Sequence, residues 1–258
     1  MALRIDIRKD YREQLRLLIR LSKNLKRKIS GLFNRYSKRA SREFKDKEEI
    51  SQEYYLEFSD EFINIMRRHY RVCITEQYER MTRMRTKQEE PLEDVIEAYI
   101  TLRLGAEISQ INNTTRKRII AVIRNGLLVG DSIPEIANSI EKSSAFSSAR
   151  ATLIARTETH SAMGYGSNEI AKTLNFKRPQ KIWNAALDVR TREWHRQVSG
   201  QRKNLDEKFE LITPQRGGAS YTAFMDYAGD PNGGPLNTIN CRCFVTHYDD
   251  EDDIINIV

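Results

Sequence analysis

The sequence predicts an α+β protein: a helical N-terminal region followed by a small mixed α/β C-terminal module. Three observations lead there. Tyr11, Leu15, Leu18, Ser22, Leu25, Ile29, Leu32 and Tyr36 recur at alternating steps of four and three, which puts them on one face of a long helix. After Phe176 such stripes give way to Gly217-Gly218, Pro231, Gly233-Gly234 and Pro235, which impose turns. Charge is also polarised, with fifteen Lys or Arg against four Asp or Glu in residues 1–45.

In the first helix, Ser22 interrupts the apolar seam and Gly31 weakens the backbone, so the pattern suits packing against another helix better than a long independent coiled coil. Tyr54, Phe58, Phe62, Ile65, His69 and Val72 predict a second helix in which His69 packs rather than catalyses. Pro91 marks a boundary, after which Val95, Tyr99 and Leu102 form another apolar face. A helix over residues 108–128 ends near Gly130. Ser132, Pro134 and Glu135 read as a capping box opening a short helix. Residues 145–174 form a further helix that Gly164 and Gly166 bend or open to a close neighbour. Beyond it, residues 181–188 read as a strand, 191–198 as a helix stopped by Gly200, and 241–248 as a closing strand.

The chain has 258 residues, 39% hydrophobic and 31% charged, which supports a buried core and argues against wholesale disorder. The net charge of +7 divides into +11 over residues 1–45 and −4 over the rest. Arg12, Arg16, Arg20, Lys23, Lys26, Arg27 and Lys28 are thus candidates for contact with nucleic-acid phosphates or an acidic protein surface. The run Asp249-Asp250-Glu251-Asp252-Asp253 reads as a solvated acidic tail. No apolar stretch approaches the roughly 20 residues that span a bilayer, and no secretory leader is visible. The three cysteines include two, Cys241 and Cys243, too close for an unstrained disulfide, which fits a reducing compartment.

Site-like spacing concentrates late in the chain. Asp188, Arg192 and His195 fall at i, i+4 and i+7, so a continuous helix would present them together, with Trp183 and Trp194 as an apolar wall. Capping and packing explain this set more economically than catalysis. Cys241, Cys243 and His247, with His195 or His160 as a fourth donor, have structural-zinc chemistry at an unusual spacing, and an extended 241–247 would put the three on one side. The preferred expectation is metal-free, with no cofactor. A cysteine nucleophile at Cys243 paired with His195 or His247 is the weaker alternative. In Arg156-Thr157-Glu158-Thr159-His160, helical geometry aligns Arg156 with His160 and suits a hydrogen-bonded brace.

Taken together, Arg156-Thr157-Glu158, the segment from Trp183 to Asp188, Arg190-Thr191-Arg192 followed by His195 and Gly200, Gly229-Asp230-Pro231 and Asn240-Cys241-Arg242-Cys243 resemble the phage Mu protein F-like minor head protein family. The resemblance covers approximately residues 145–247. It implies a minor capsid or head morphogenesis protein, portal-associated and carried inside the head after assembly in the host cytoplasm, that serves assembly, DNA packaging or DNA delivery. The implied partners are portal, major capsid or scaffold proteins, with nonspecific contact to packaged DNA. Residues 1–140 are then a helical partner-binding region, 141–248 the family module and 249–258 the acidic tail. Arg156, Glu158, Trp183, Asp188, Arg192, His195, Asn240, Cys241 and Cys243 form a structural constellation, with His195, Cys241, Cys243 and His247 as the alternative metal set. Some proteins with this module carry fused toxin or enzyme domains, and no comparable extension is seen here. The expectation is a chain that is not an enzyme; the alternative is a metal-dependent or cysteine-dependent enzyme carried in the particle.

Overall fold

A computed structural model describes residues 2–83, 92–186, 188–215 and 217–256, without the side chains of 105–108. In chain order its elements are β1 (Arg4–Asp6), α1 (Ile7–Lys47), α2 (Gln52–Thr82), α3 (Leu92–Val129), α4 (Ile133–Glu141), α5 (Ser148–Thr173), β2 (Pro179–Asn184), α6 (Glu193–Gln197), β3 (Arg202–Asn204), β4 (Phe209–Pro214), β5 (Ser220–Met225), α7 (Pro235–Thr238), β6 (Phe244–Asp249) and β7 (Asp253–Ile255). The α+β class is therefore as the sequence predicts. Pro91 lies outside the described residues. No helix among the described residues is long and apolar enough to cross a membrane.

Two units emerge, and they interleave along the chain: one combines residues 1–21, 70–99 and 156–258, the other 22–69 and 100–155. The second unit is helical. Its part of the α1 seam, Leu25, Ile29, Leu32 and Tyr36, is buried, so this chain itself covers the stripe. On α2 the buried stripe is Tyr54, Phe58, Phe62 and Met66, stepping by four. Ile65 is only half-buried, and Val72, further along the helix, is exposed. Each step of four advances about 40° around the helix, so the buried stripe winds away from the line on which Ile65 lies. Phe33 stacks on Phe58 and meets Phe146 edge-on. The guanidinium of Arg150 is buried beside them and donates to the carbonyls of Ala145 (2.6 Å) and Ile111 (2.9 Å) and to Thr115 Oγ1 (3.0 Å). Burial still pulls its pKa down to about 10. Ahead of α4, Glu135 accepts from the backbone N–H of Ser132 at 2.8 Å, the return half of the expected capping box.

The first unit holds every strand among the described residues. A three-stranded antiparallel sheet runs β3-β2-β6, β4 and β5 form a hairpin, and β1 pairs in parallel with β7. Alternation along β2 sends Trp183 into a core with Phe209, Leu211, Met225, Cys241, Cys243 and Val245, while Ile182 joins Ile5, Ile7 and Tyr248 on the other face. The hairpin lies where the sequence shows chiefly turns. Its β4 alternates buried Phe209, Leu211 and Thr213 with exposed Glu210, Ile212 and Pro214.

The acidic run is the expected solvated stretch in part only: Asp250, Glu251 and Asp253 are exposed, while Asp249 and Asp252 are tied to backbone donors. Asp249 is buried at the end of β6 and accepts from the Lys177 N–H at 2.7 Å. Asp252 accepts from the N–H groups of Leu3 and Asp249, both at 2.8 Å, and Asp253 enters β7. The Asp249 and Asp252 carboxylates satisfy backbone donors, which outweighs their preference for water.

Two glycines in long helices should respond oppositely to alanine. A Cβ at Gly31 would meet nothing closer than 4.0 Å, so Gly31→Ala should stabilise by about 0.5–1 kcal/mol through helix propensity. A Cβ at Gly164 would lie 2.6 Å from Tyr227 Cδ2 and 2.7 Å from the Ala228 carbonyl oxygen. Overpacking at about 1–3 kcal/mol exceeds the propensity gain, so Gly164→Ala should destabilise. Urea denaturation of both variants checks the two signs.

Candidate functional site

The predicted helix over 191–198 is shorter in the structure, and this rearranges its residues. Arg192 has an extended backbone and stands as the N-cap of α6, while Asp188 lies in the preceding turn, where its carbonyl accepts from the Thr191 N–H at 3.0 Å. Asp188 Oδ1 also accepts from the Arg190 N–H at 2.9 Å, a local turn contact that competes with helix. Asp188, Arg192 and His195 thus do not share one helical face. Asp188 instead meets Arg242 through two parallel hydrogen bonds, one of 2.7 Å from Nη2 to Oδ1 and one from Nη1 to Oδ2. The Arg242 pair holds the Asp188 carboxyl well below its ordinary range. Arg192 donates to the Ile239 carbonyl at 2.6 Å.

The closing strand begins at Phe244, so Cys241 and Cys243 precede it and do not alternate within it. They converge through a turn: Cys241 N–H donates to the Thr238 carbonyl (3.2 Å), and Asn240 adopts a positive φ of 56°, a conformation Asn tolerates. Helix α5 borders this turn. Thr157 Oγ1 accepts from the Asn240 N–H at 3.3 Å, and His160 Nε2 bonds the Cys243 carbonyl at 2.6 Å. On the same helix, Glu158 is buried and accepts from Tyr70 Oη at 2.6 Å. Arg156 is half-buried, its pKa lowered by burial and then by the nearby charges of Arg242 and Arg190.

His195, Cys241 and Cys243 are all buried, and one ligand atom from each lies within 4.8 Å of the other two. His195 Nδ1 is 3.4 Å from Cys243 Sγ and 3.6 Å from Cys241 Sγ. Trp183 meets the His195 ring edge-on at 5.7 Å, and Trp194 flanks it at 6.1 Å. A hydrogen bond from Cys243 to Cys241 is the first cause that holds the Cys241 thiol well below its ordinary range, and the same bond pushes Cys243 up. His247 is not in this cluster. Its Nδ1 meets Ser167 Oγ at 3.4 Å, and its ring lines a cavity of about 490 Å³ with Asp10, Arg80 and Leu174.

Sequence reasoning missed Asn237. It is fully buried on α7, and its Oδ1 lies 2.7 Å from Trp194 Nε1 and 3.2 Å from His195 Nε2, while its Nδ2 donates to the Gly233 carbonyl (2.8 Å) and Thr213 Oγ1 (2.9 Å). A single Asn in a four-residue helix has no periodicity to mark it. The nearby Pro and Gly residues signal only turns.

With this geometry in place, the protein class follows. Residues 117–246 match the family described as phage Mu protein F like protein, half of the chain, and the chain belongs to that family. The matched stretch contains the entire constellation from Arg156 to Cys243. The chain is 35% identical over 147 residues to the minor head protein GP7 of Bacillus phage SPP1, covering 55% of this chain and 42% of that protein. It is 30% identical over 144 residues to the NAD(+)–arginine ADP-ribosyltransferase EFV of Enterococcus faecalis (strain ATCC 700802 / V583), covering 55% of this chain and 27% of that protein. The chain therefore spans less than half the length of either relative. No solved structure matches significantly.

The expectation that the chain is not an enzyme is overturned by two of these findings. His195, Cys241 and Cys243 can hold a metal ion, and one relative is a named transferase. A capacity for catalysis therefore enters the reading of this site, since two Cys and one His are also a donor set of catalytic zinc.

The charge states make the fold acid-sensitive. Burial lowers His247 from 6.5 to about 3, so the unfolded chain takes up a proton near pH 6.5 that the folded chain refuses until about pH 3. Stability from this residue is complete above about pH 6.5 and is lost as pH falls through that window. Asp188, held low in the fold, adds a further loss below about pH 4. Urea midpoints across pH 7 to 3 should fall continuously, and His247→Gln should flatten the upper part of the slope.

Proposed function

We propose that this protein is a minor head protein acting in phage head morphogenesis, associated with the portal and carried inside the head, where it supports DNA packaging or delivery. The observation that carries the reading is the family match over the segment that holds the whole constellation, together with the likeness to a minor head protein. In this reading residues 141–248 form the module that docks to portal, major capsid or scaffold proteins. Residues 1–140 supply a helical partner-binding region, and 249–258 close the chain. Arg12, Arg16, Arg20, Lys23 and Arg27 follow steps of four, four, three and four along α1 and are all exposed, as is Lys28, with Lys26 half-buried. Arg20 is salt-bridged to Glu76 at 2.7 Å. Burial of the α1 seam within this chain leaves the charged face for outside contacts, where it meets packaged DNA without reading sequence.

A second reading, a metal-dependent enzyme carried in the particle, is supported by the buried donor cluster and the transferase-named relative. Localisation and cross-linking in intact particles test the main reading. Internal density with cross-links to portal subunits is the expected result, and a cellular protein absent from particles would refute it.

The DNA contact needs substitutions rather than deletion of residues 1–45, because Leu18, Leu21, Leu25, Ile29 and Leu32 are core residues. Replacing Arg12, Arg16, Lys23 and Arg27 with Gln should weaken DNA binding equally for unrelated sequences. The slope of log K against log salt should shrink by up to about 0.9 per lost phosphate contact on duplex DNA. Titrations at several salt concentrations give both readouts.

A further inference from the structure

The neighbours of His195 show which of its ring nitrogens donates. Trp194 Nε1–H can only donate and the Gly233 carbonyl can only accept, so they fix the Asn237 amide with Oδ1 toward Trp194 and Nδ2 toward Gly233. The Asn237 atom 3.2 Å from His195 Nε2 is then an acceptor, so Nε2 carries a proton. In the neutral ring Nδ1 is left with a bare lone pair, and that atom faces both cysteine sulfurs. A neutral histidine whose other ring nitrogen donates to a carbonyl oxygen is the usual preparation of a metal ligand.

The distances agree. Tetrahedral zinc with Zn–N of about 2.0–2.1 Å and Zn–S of about 2.3 Å requires nitrogen and sulfur about 3.6 Å apart. The two observed separations are 3.4 and 3.6 Å. Each donor comes from a differently constrained place: His195 from α6, Cys241 from the positive-φ turn, and Cys243 from the residue before β6, whose carbonyl His160 holds.

We propose that His195 Nδ1, Cys241 Sγ and Cys243 Sγ bind one zinc-class divalent cation. The two thiols release their protons to solvent as the ion enters, so two thiolates and a neutral imidazole balance its double charge. No further His, Cys, Asp or Glu joins the cluster among the described residues, so water or another outside donor takes the fourth position. His247, the fourth ligand considered from sequence, is engaged elsewhere. The site goes beyond the head-protein reading and stands independently of it.

The test uses the full chain purified under reducing conditions. Elemental analysis should find close to one zinc per chain, and exchange with cobalt(II) should produce thiolate-to-cobalt charge transfer and intense tetrahedral ligand-field bands. Cys241→Ser and Cys243→Ser should each lose metal and spectrum, while Cys73→Ser, whose thiol lies outside the cluster, keeps both. If the serine variants do not fold, mercurial titration of the unaltered chain replaces them, with zinc release expected in step with modification of two thiols. A folded chain with substoichiometric zinc and no cobalt spectrum would overturn the proposal, leaving a thiol–imidazole cluster. So would zinc removed by chelator without loss of hydrogen-exchange protection in residues 193–197 and 239–245, or a Cys73→Ser chain that loses metal like the others.

Discussion

The register of β2 against β6 is the constraint on which the strand-bearing unit depends. Six consecutive pairs run from Pro179 opposite Asp249 to Asn184 opposite Phe244. Both faces of β2 are buried, so a slip by one residue would send Trp183 and Lys181 toward the Ile5 and Tyr248 side and put Ile182 and Asn184 against the Phe209 core. Lys181 shows how firmly the register is held. Its side chain is fully buried, donates to the Asp226 carbonyl at 2.9 Å and lies over the Phe209 ring, and burial lowers its pKa to about 8. The ladder ends at Phe244, so Cys243 sits where pairing stops and the backbone is free to turn its sulfur toward His195.

Around that point the polar groups form one connected set. Asp188 clamps Arg242 between the two cysteines, Arg192 holds the Ile239 carbonyl, His160 holds the Cys243 carbonyl, and Asn237 orients His195. Each contact fixes backbone or ring orientation more than it adds binding energy. The consequence is that a displacement of the 239–243 turn would be passed directly to the buried donors at 195, 241 and 243.

Much of the helical region was legible because apolar periodicity of 3.6 is written over many turns. The α1 seam from Leu18 to Tyr36 and the Tyr54, Phe58 and Phe62 stripe are buried as the period indicates, whereas Tyr11 and Leu15 are only half-buried. The ordered motifs from Arg156 to Cys243 likewise pointed to the family, since their combination is more specific than any one of them. Shorter features escaped. Strand β1 has three residues and α7 four, too few for a period to declare itself, and α6 is legible as a helix but not in its five-residue length. The alternation in β4 was present, but its glycine-containing surroundings masked it. The Asp188, Arg192 and His195 spacing suggested a shared helical face because nothing local revealed that Arg192 would cap and Asp188 would turn. Within the acidic run, Asp249 and Asp252 depart from the solvated reading for a related reason: composition shows the charge of a carboxylate but not the backbone donors that tertiary structure brings to it.

The parallel pairing of β1 with β7 has a mechanical consequence. Arg4, Ile5 and Asp6 lie opposite Asp253, Ile254 and Ile255 in the same direction, so the outward continuations of the two strands leave from opposite ends of their ladder. Tension applied between those continuations loads all three rungs in shear at once, instead of unzipping them singly. Asp252, accepting from the Leu3 N–H, adds a bond at the point where the N-terminal lead enters. A tether attached at either extremity would therefore pull against a lap joint, and force would reach α1 and β6 only after that joint had slid.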